Sequence, residues 1–449
     1  MRYQSKIYLL LIMLIWTTSC SDLLDLQPEA SVSDEGVISD KKTSLAALYG
    51  IYDNIQNSYT PTLTAFNLAG DNVISYATPT IIVPDRNAED NGGAPFAAFY
   101  VTINRANFII KRVPEVVDNQ LTDAERDQIV GEAYFLRAFA YFDLARFYGG
   151  VQIVTEPTER IDTHKGTKRS TLAETYNQVL ADLDKAEELI SGETDRSRAT
   201  KFAVYALKAR FFLYTEQWEQ AEEYASKTIS NSNFSLVKPF TTFFTDRLSK
   251  ESIFEVVYTA VDASTYWRSW LSTEDGGNQT YVPEPSLIAD LLDPAKGGAR
   301  KNILKQSVQE PELYAVQLYG KKDGTSSLFA LRIAEQYLIR AEARTKKSNP
   351  DIEGAVSDLL EVQSRAEVTP LFTHNAVTTV EDVLVAIEEE RRLELAFEGH
   401  RFTDLIRTNR AAEVLGSYNP LLKEPYQWVF PIPASSVEKD PDLEQNKGY

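Results

Sequence analysis

The chain has 449 residues, with 65 acids against 46 lysines and arginines, a net charge of −19 and a pI near 4.8. That balance excludes recognition of nucleic acid or of an anionic membrane through charge. With 43% hydrophobic residues and no Pro/Gly/Ser linker dividing it, residues 39–449 are expected to form a single, mostly α-helical domain with long loop insertions and a few short strands.

Arg2 and Lys6 precede an apolar run from Ile7 to Trp16, then small residues and Cys20. This is the layout of a secretory signal peptide over residues 1–19, and the run is too short to span a membrane. Cys20 is the sole cysteine and cannot form an internal disulfide. Placed directly behind the signal, it reads as the lipidated first residue of a bacterial lipoprotein, with 20–38 as an extended polar tether. Thr17-Thr18-Ser19 lacks the aliphatic residue usual three positions before such a cysteine, so a secreted protein with a free thiol remains the alternative.

Ser39 or Asp40 can cap a helix with Leu45, Leu48, Tyr49, Tyr52 and Ile55 on its apolar side. From Tyr59 to Pro95 the period breaks and a long irregular segment is expected, of the kind that often carries function. Phe99, Ile103, Ala106, Ile110 and Val113 mark the next helix, closed by Pro114. Thr122 and Glu125 then form a capping box. The helix behind it is apolar on nearly every face, which predicts full burial, and Gly149-Gly150 ends it. Its Arg137, Asp143 and Arg146 therefore need partners, and Asp143 can pair with Arg146 three residues on.

A second capping box, Thr171 with Glu174, opens an amphipathic helix through Tyr176, Val179, Leu183, Ala186 and Ile190. Residues 199–230 resemble a degenerate tetratricopeptide hairpin, and 331–346 with 352–366 make another; hairpins run over about 122–230 and 331–366, and such units bury their faces by stacking. Between them, Ser252–Thr259 reads as a strand inside a loop-rich insertion of about 231–328.

Four segments resemble the SusD/RagB family of surface nutrient-binding lipoproteins. The first is Glu132, Phe135-Leu136-Arg137-Ala138, Tyr141-Phe142, Leu144 and Tyr148-Gly149-Gly150. The second is the opening of the 331–346 helix. The third is Ile387, Glu390-Arg391, Glu394-Leu395, Glu398-Gly399, Arg401-Phe402 and Asp404-Leu405, and the fourth the closing Pro431-Ile432-Pro433 and Gln445-Asn446-Lys447-Gly448-Tyr449. The resemblance implies an outer-membrane, cell-surface lipoprotein that captures an oligosaccharide and hands it to a SusC-like TonB-dependent transporter barrel. It implies binding rather than catalysis.

The charge run Glu388–Arg407 offers paired carboxylates of the kind used in glycoside hydrolysis. Arg391, Glu394, Glu398 and Arg401, however, are spaced three and four apart, which predicts a salt-bridge stripe along one helix. His164, His374 and His400 are scattered, and His400 falls in that stripe and reads as structural. With Cys20 lipidated, no Cys/His metal site remains, and neither a G-x-S-x-G elbow nor a phosphate-binding loop is present. Asp85, Asn87, Glu89 and Asp90 could hold calcium but lack the glycine and terminal glutamate of an EF-hand loop, so no cofactor is expected.

Aromatic residues on loops are the stronger lead, because sugar rings lay apolar faces on aromatic rings while their hydroxyls seek polar groups. Trp267, Trp270 and Tyr281 with Arg268 and Asn278 form the first candidate site. Tyr76 with Asp71 and Asn72 forms the second, and Phe99 with Asn104 the third. Three alternatives stay open: a peptide ligand, as RagB-like members suggest; a helical envelope scaffold without a small ligand; and a glycosidase.

Overall fold

The computed structural model describes residues 38–77, 96–160, 162–192, 195–369, 379–440 and 442–449. The signal peptide, Cys20, nearly all of the tether, the 85–90 oxygen-rich run and His374 lie outside them.

Helix α1 (Lys41–Ala69) starts at Asp40, whose carboxylate accepts the Thr43 amide at 2.7 Å while the Thr43 hydroxyl accepts the Asp40 amide at 3.0 Å. The expected break at Tyr59 does not occur. The helix continues through Pro61 to Ala69, and every residue from Thr62 to Ala69 is buried. With no solvated face, no polar–apolar period exists there to be read. Strand β1 (Val73–Ser75) follows, and α2 (Phe96–Arg112) comes next in the described chain.

The all-round apolar helix is α3 (Asp123–Tyr148), with its capping box formed as expected and Ile129 to Tyr148 buried almost throughout. It ends at Gly149 in a left-handed turn, φ 76°. A side chain on Gly150 would strike the Ser170 carbonyl. The Phe147 ring stacks on Phe66 of α1, centroids 3.7 Å apart. Then come α4 (Leu172–Leu189), α5 (Lys201–Tyr214) and α6 (Trp218–Ile229).

The insertion holds α7 (Thr242–Thr245), β2 (Ser252–Val256), α8 (Trp267–Trp270), β3 (Tyr281–Pro283), α9 (Pro285–Leu292), β4 (Leu304–Gln306) and β5 (Tyr314–Val316). Strand β6 (Leu328–Arg332) leads straight into α10 (Ile333–Lys346), followed by α11 (Ile352–Arg365), α12 (Val380–Glu394), α13 (Arg401–Arg407), α14 (Ala411–Tyr418) and α15 (Ala434–Lys439). The strands form three antiparallel pairs, β1–β3, β2–β6 and β4–β5. Two boundaries differ from expectation. The first strand stops at Val256 rather than Thr259, and Leu331-Arg332 belong to β6 because they pair with β2.

Helices α1 to α6 pack each on the next, α6 packs on α10, and α10 on α11, with α12 against both. This is the expected stacking of tetratricopeptide-like hairpins, in which each unit buries a face its neighbour supplies. The interior charges of α3 find partners. Arg137 donates to Asp182 at 2.6 and 2.8 Å and to the Asn107 side-chain oxygen at 2.7 Å, and Arg146 pairs with Asp143.

The expected salt-bridge stripe is not one. Helix α12 ends at Glu394, and Phe397 and Gly399 turn left-handed at φ 70° and 77°. Arg391 and Arg401 therefore turn away from Glu394 and Glu398 to other partners. Arg391 donates to Asp404 at 2.8 Å and Arg401 to Asp71 at 2.7 Å. Glu394 and Glu398 enter a buried cluster with Arg300, Arg332, Arg365, Glu251 and Glu390, which ties β6, α11, α12, the 298–303 segment and the residue preceding β2 together. Burial raises the Glu398 carboxyl to about 7 despite Arg332 beside it. His400 is structural as expected: buried, its Nδ1 3.8 Å from Glu335, its pKa lowered to about 3 by desolvation.

Candidate ligand-binding face

The end of α1 delivers β1 to β3. Val73 pairs with Pro283, Ile74 with Val282 and Ser75 with Tyr281, and the Tyr76 amide donates to the Thr280 carbonyl at 2.9 Å. This ribbon and the 264–282 segment gather five of the predicted residues. Trp267 is half-buried, with the Arg268 guanidinium 5.3 Å from its ring centroid. Arg268 and Asn278 are exposed, and the Asn278 amide donates to the Arg268 carbonyl at 2.6 Å. Tyr281 is half-buried, and desolvation raises its phenol.

Tyr76 is 46% exposed. It sits one residue past the Ser75–Tyr281 pair, so its ring leaves the ribbon on the other face. There its hydroxyl donates to Glu310 at 3.0 Å, a bond that raises its phenol. Glu310 belongs to a turn that Glu274 latches by accepting the Val308 and Gln309 amides at 2.9 and 3.1 Å. Beside it, Lys305 donates to Asp275 at 2.6 Å and lowers that carboxyl.

Four predicted residues do not belong to the face. Trp270 is 0% exposed, enclosed by Tyr266, Tyr281, Tyr319 and Phe397 at centroid distances of 5.8, 5.5, 6.1 and 5.7 Å. It is the pin beneath Tyr281, not a platform for a ligand. Asp71 and Asn72 are buried. Asp71 receives Arg401, and the Asn72 side-chain oxygen receives Arg392 at 3.0 Å, so both fasten the α1–β1 junction to α12 and α13. Phe99 is 4% exposed, its centroid 6.3 Å from Phe147 in the α2–α3 interface, and its companion Asn104 accepts the Thr158 amide at 2.7 Å.

Glu274, Asp275, Lys305 and Glu310 were not anticipated. Their roles depend on partners some 30 or more residues distant or on a turn no period marks. The face is open rather than deep, since the hollow between Trp267, Tyr319, Lys321 and Ser326 has essentially no interior volume. It suits a ring laid on its surface. Among the described residues, no group of three or more His, Cys, Asp or Glu side chains is placed to hold a metal ion, and no helix is long and apolar enough to cross a membrane.

Two family models match the chain. Residues 22–213 match one described as starch-binding, associating with the outer membrane, and residues 303–449 match the SusD family. A SusD-like protein of Formosa agariphila is 26% identical, with 98% of each chain covered. A SusD superfamily structure from Bacteroides thetaiotaomicron superposes with a TM-score of 0.77 at 24% identity, covering 90% of this chain and 99% of that one. The surface glycan-binding protein A of the same organism, solved with laminarihexaose, gives a TM-score of 0.72 at 20% identity, covering 91% of this chain and all (100%) of that one.

Proposed function

The chain belongs to the SusD/RagB family, and we propose that within it this protein is a cell-surface lipoprotein that captures an oligosaccharide for a TonB-dependent outer-membrane transporter. The family description as starch-binding and membrane-associated supports this, as does the laminarihexaose held by a structural relative. The observation that carries the reading is the loop face itself: Trp267 and Tyr281 on adjoining short elements, with Arg268 and Asn278 exposed beside them and Tyr76 exposed on the other side of the ribbon. Flat rings supply the apolar contact and neighbouring side chains the hydroxyl partners. The Arg268 guanidinium lies within cation–π distance of the Trp267 ring. In this reading Cys20 carries the lipid that anchors the chain at the outer membrane.

Capture without turnover is the proposed task. Supporting it, carboxylates at the end of α12 and in the turn after it are paired with arginines: Glu390 and Glu394 with Arg300, and Glu398 with Arg332.

Calorimetry with a panel of neutral oligosaccharides tests the reading, with spent samples checked for cleavage. Trp267→Ala is expected to weaken binding about tenfold or more, on the order of 1.4 kcal/mol. Heat from peptides alone would move the ligand to peptide, and cleaved sugar would defeat the binding-only reading.

A further inference from the structure

A sizeable cleft lies away from the loop face. It has a volume of about 420 Å³ and lies between the N-terminal half of α1 and the 195–198 segment, with Phe254 of β2 on its floor. That volume lies in the range of about 300–1,000 Å³ typical of small-ligand sites. Two smaller clefts, about 230 and 250 Å³, are walled by ions already paired, such as Arg392 with Asp290 and Arg407 with Glu342.

Tyr49, Asp53 and Gln56 line one wall at successive helical turns, so they share a face of α1. Tyr49 is 50% exposed, and the Arg198 guanidinium lies 5.5 Å from its ring centroid. Arg198 is itself fixed, donating to both oxygens of the buried Glu132 at 2.6 and 3.1 Å, and Glu132 also receives the Tyr52 hydroxyl at 2.6 Å. On the facing wall Asp195 accepts the Ser197 amide and hydroxyl at 2.9 and 2.6 Å. The walls are thus held in place by bonds that need no ligand.

We infer that this cleft is a second saccharide site, specific for neutral oligosaccharides. An aromatic ring at the rim, an amide, a hydroxyl and carboxylates within reach are the groups a sugar's faces and hydroxyls require. The charge balance sets the class: Asp53 and Asp195 are exposed at the cleft, whereas Arg198 is neutralised by Glu132 and the Glu255 carboxylate is buried, accepting the Leu248 amide and the Ser252 hydroxyl. A uronate or sulfated chain would meet unopposed negative charge. The cleft is lined by α1 residues 49 to 56, about 20–30 Å from Ala69 at 1.5 Å per residue, so the two sites are separated along that helix. One long glycan touching both would gain avidity over either site alone.

The inference rests on the glycan-capture reading, and its test separates the two. The detergent-solubilised full chain is titrated with laminarihexaose, maltohexaose, xylohexaose and mannohexaose, with an oligogalacturonate as the anionic probe. A neutral sugar is expected to bind at two sites per chain. Tyr49→Ala and Asp53→Leu, both on exposed positions, should each remove one site, while Tyr49→Phe keeps both. If Tyr49→Ala changes neither stoichiometry nor affinity while Trp267→Ala abolishes binding, the second site falls and the loop face stands. If Tyr49→Ala removes a site and Trp267→Ala does not, the loop face falls and the second site stands. A Tyr49-dependent site that takes the oligogalacturonate or a peptide pool overturns the neutral-saccharide assignment. No saturable binding of any neutral sugar at millimolar concentration overturns both readings.

Discussion

Trp267 and Trp270 are three residues apart in one short turn, yet they do opposite work. Trp270 fills the space among four aromatic rings, whereas Trp267 reaches the surface under Arg268. Trp270→Ala is expected to lower stability by about 3–5 kcal/mol, seen as an earlier urea midpoint, because it leaves a ring-sized cavity. Trp267→Ala should leave the midpoint nearly unchanged and act on ligand binding alone. The residue types and spacing do not separate the two; only the positions of Tyr319 and Phe397, far along the chain, do.

Glu398 supplies a second residue-scale prediction. Burial holds its pKa at about 7, above the ordinary 4.5, so the folded chain binds this proton more tightly than the unfolded one. Its contribution to stability is complete below about pH 4.5 and is lost as pH rises through about 7, on the order of 3 kcal/mol in all. Arg332 on one side and Glu394 and Glu251 on the other face it. Glu398→Gln should remove this fall, so denaturation at pH 5 and pH 8 should show the variant gaining on the parent at the higher pH. An unchanged difference between the two pH values would refute the assignment.

Among the elements, those with one wet face were the most legible. Helices α4, α6 and α11 alternate polar and apolar residues at 3.6 spacing, and their bounds fall near the expected ones. Helix α3 has no such period but declares itself by a capping box, an all-apolar interior and terminal glycines. The second half of α1 has none of these marks and was missed. The α12–α13 junction was misread for a different reason. Spacing of three and four implies a common face only while the helix lasts, and α12 ends at Glu394, with left-handed residues at Phe397 and Gly399 before α13 begins. Gly399→Ala is expected to destabilise by about 1–2 kcal/mol. Its new Cβ would carry φ 77° and lie 3.0 Å from the Leu63 side chain of α1. Thermal unfolding would register this, and an unshifted midpoint would show that the turn relaxes.

At the scale of the molecule, the hairpin row is a frame whose loops, not its helices, present the face proposed to bind. The buried Arg–Glu cluster clamps that frame where β6, α11, α12, the 298–303 segment and the residue preceding β2 meet. Removing one partner strands the others: Arg332→Ala should cost about 3–5 kcal/mol or prevent accumulation of folded protein, whereas breaking an exposed pair such as Lys185–Glu188 should leave stability nearly unchanged. If Cys20 is the anchor, Cys20→Ser should move the protein from the membrane fraction to the soluble fraction on fractionation, with the fold unchanged.

What the sequence determined by itself was the family, the helical class, the capping boxes, the hairpins and the pairing of Asp143 with Arg146. Each is written in residues near one another along the chain, where helix geometry alone brings side chains together. What only the tertiary structure decided was which aromatic rings face water, which carboxylates are already held by arginines, and where the clefts lie. Asp71 lies beside Arg401 across 330 positions, and Arg198 beside Glu132 across 66. No local pattern encodes such pairs, because exposure and charge compensation are properties of the packed interior rather than of the chain.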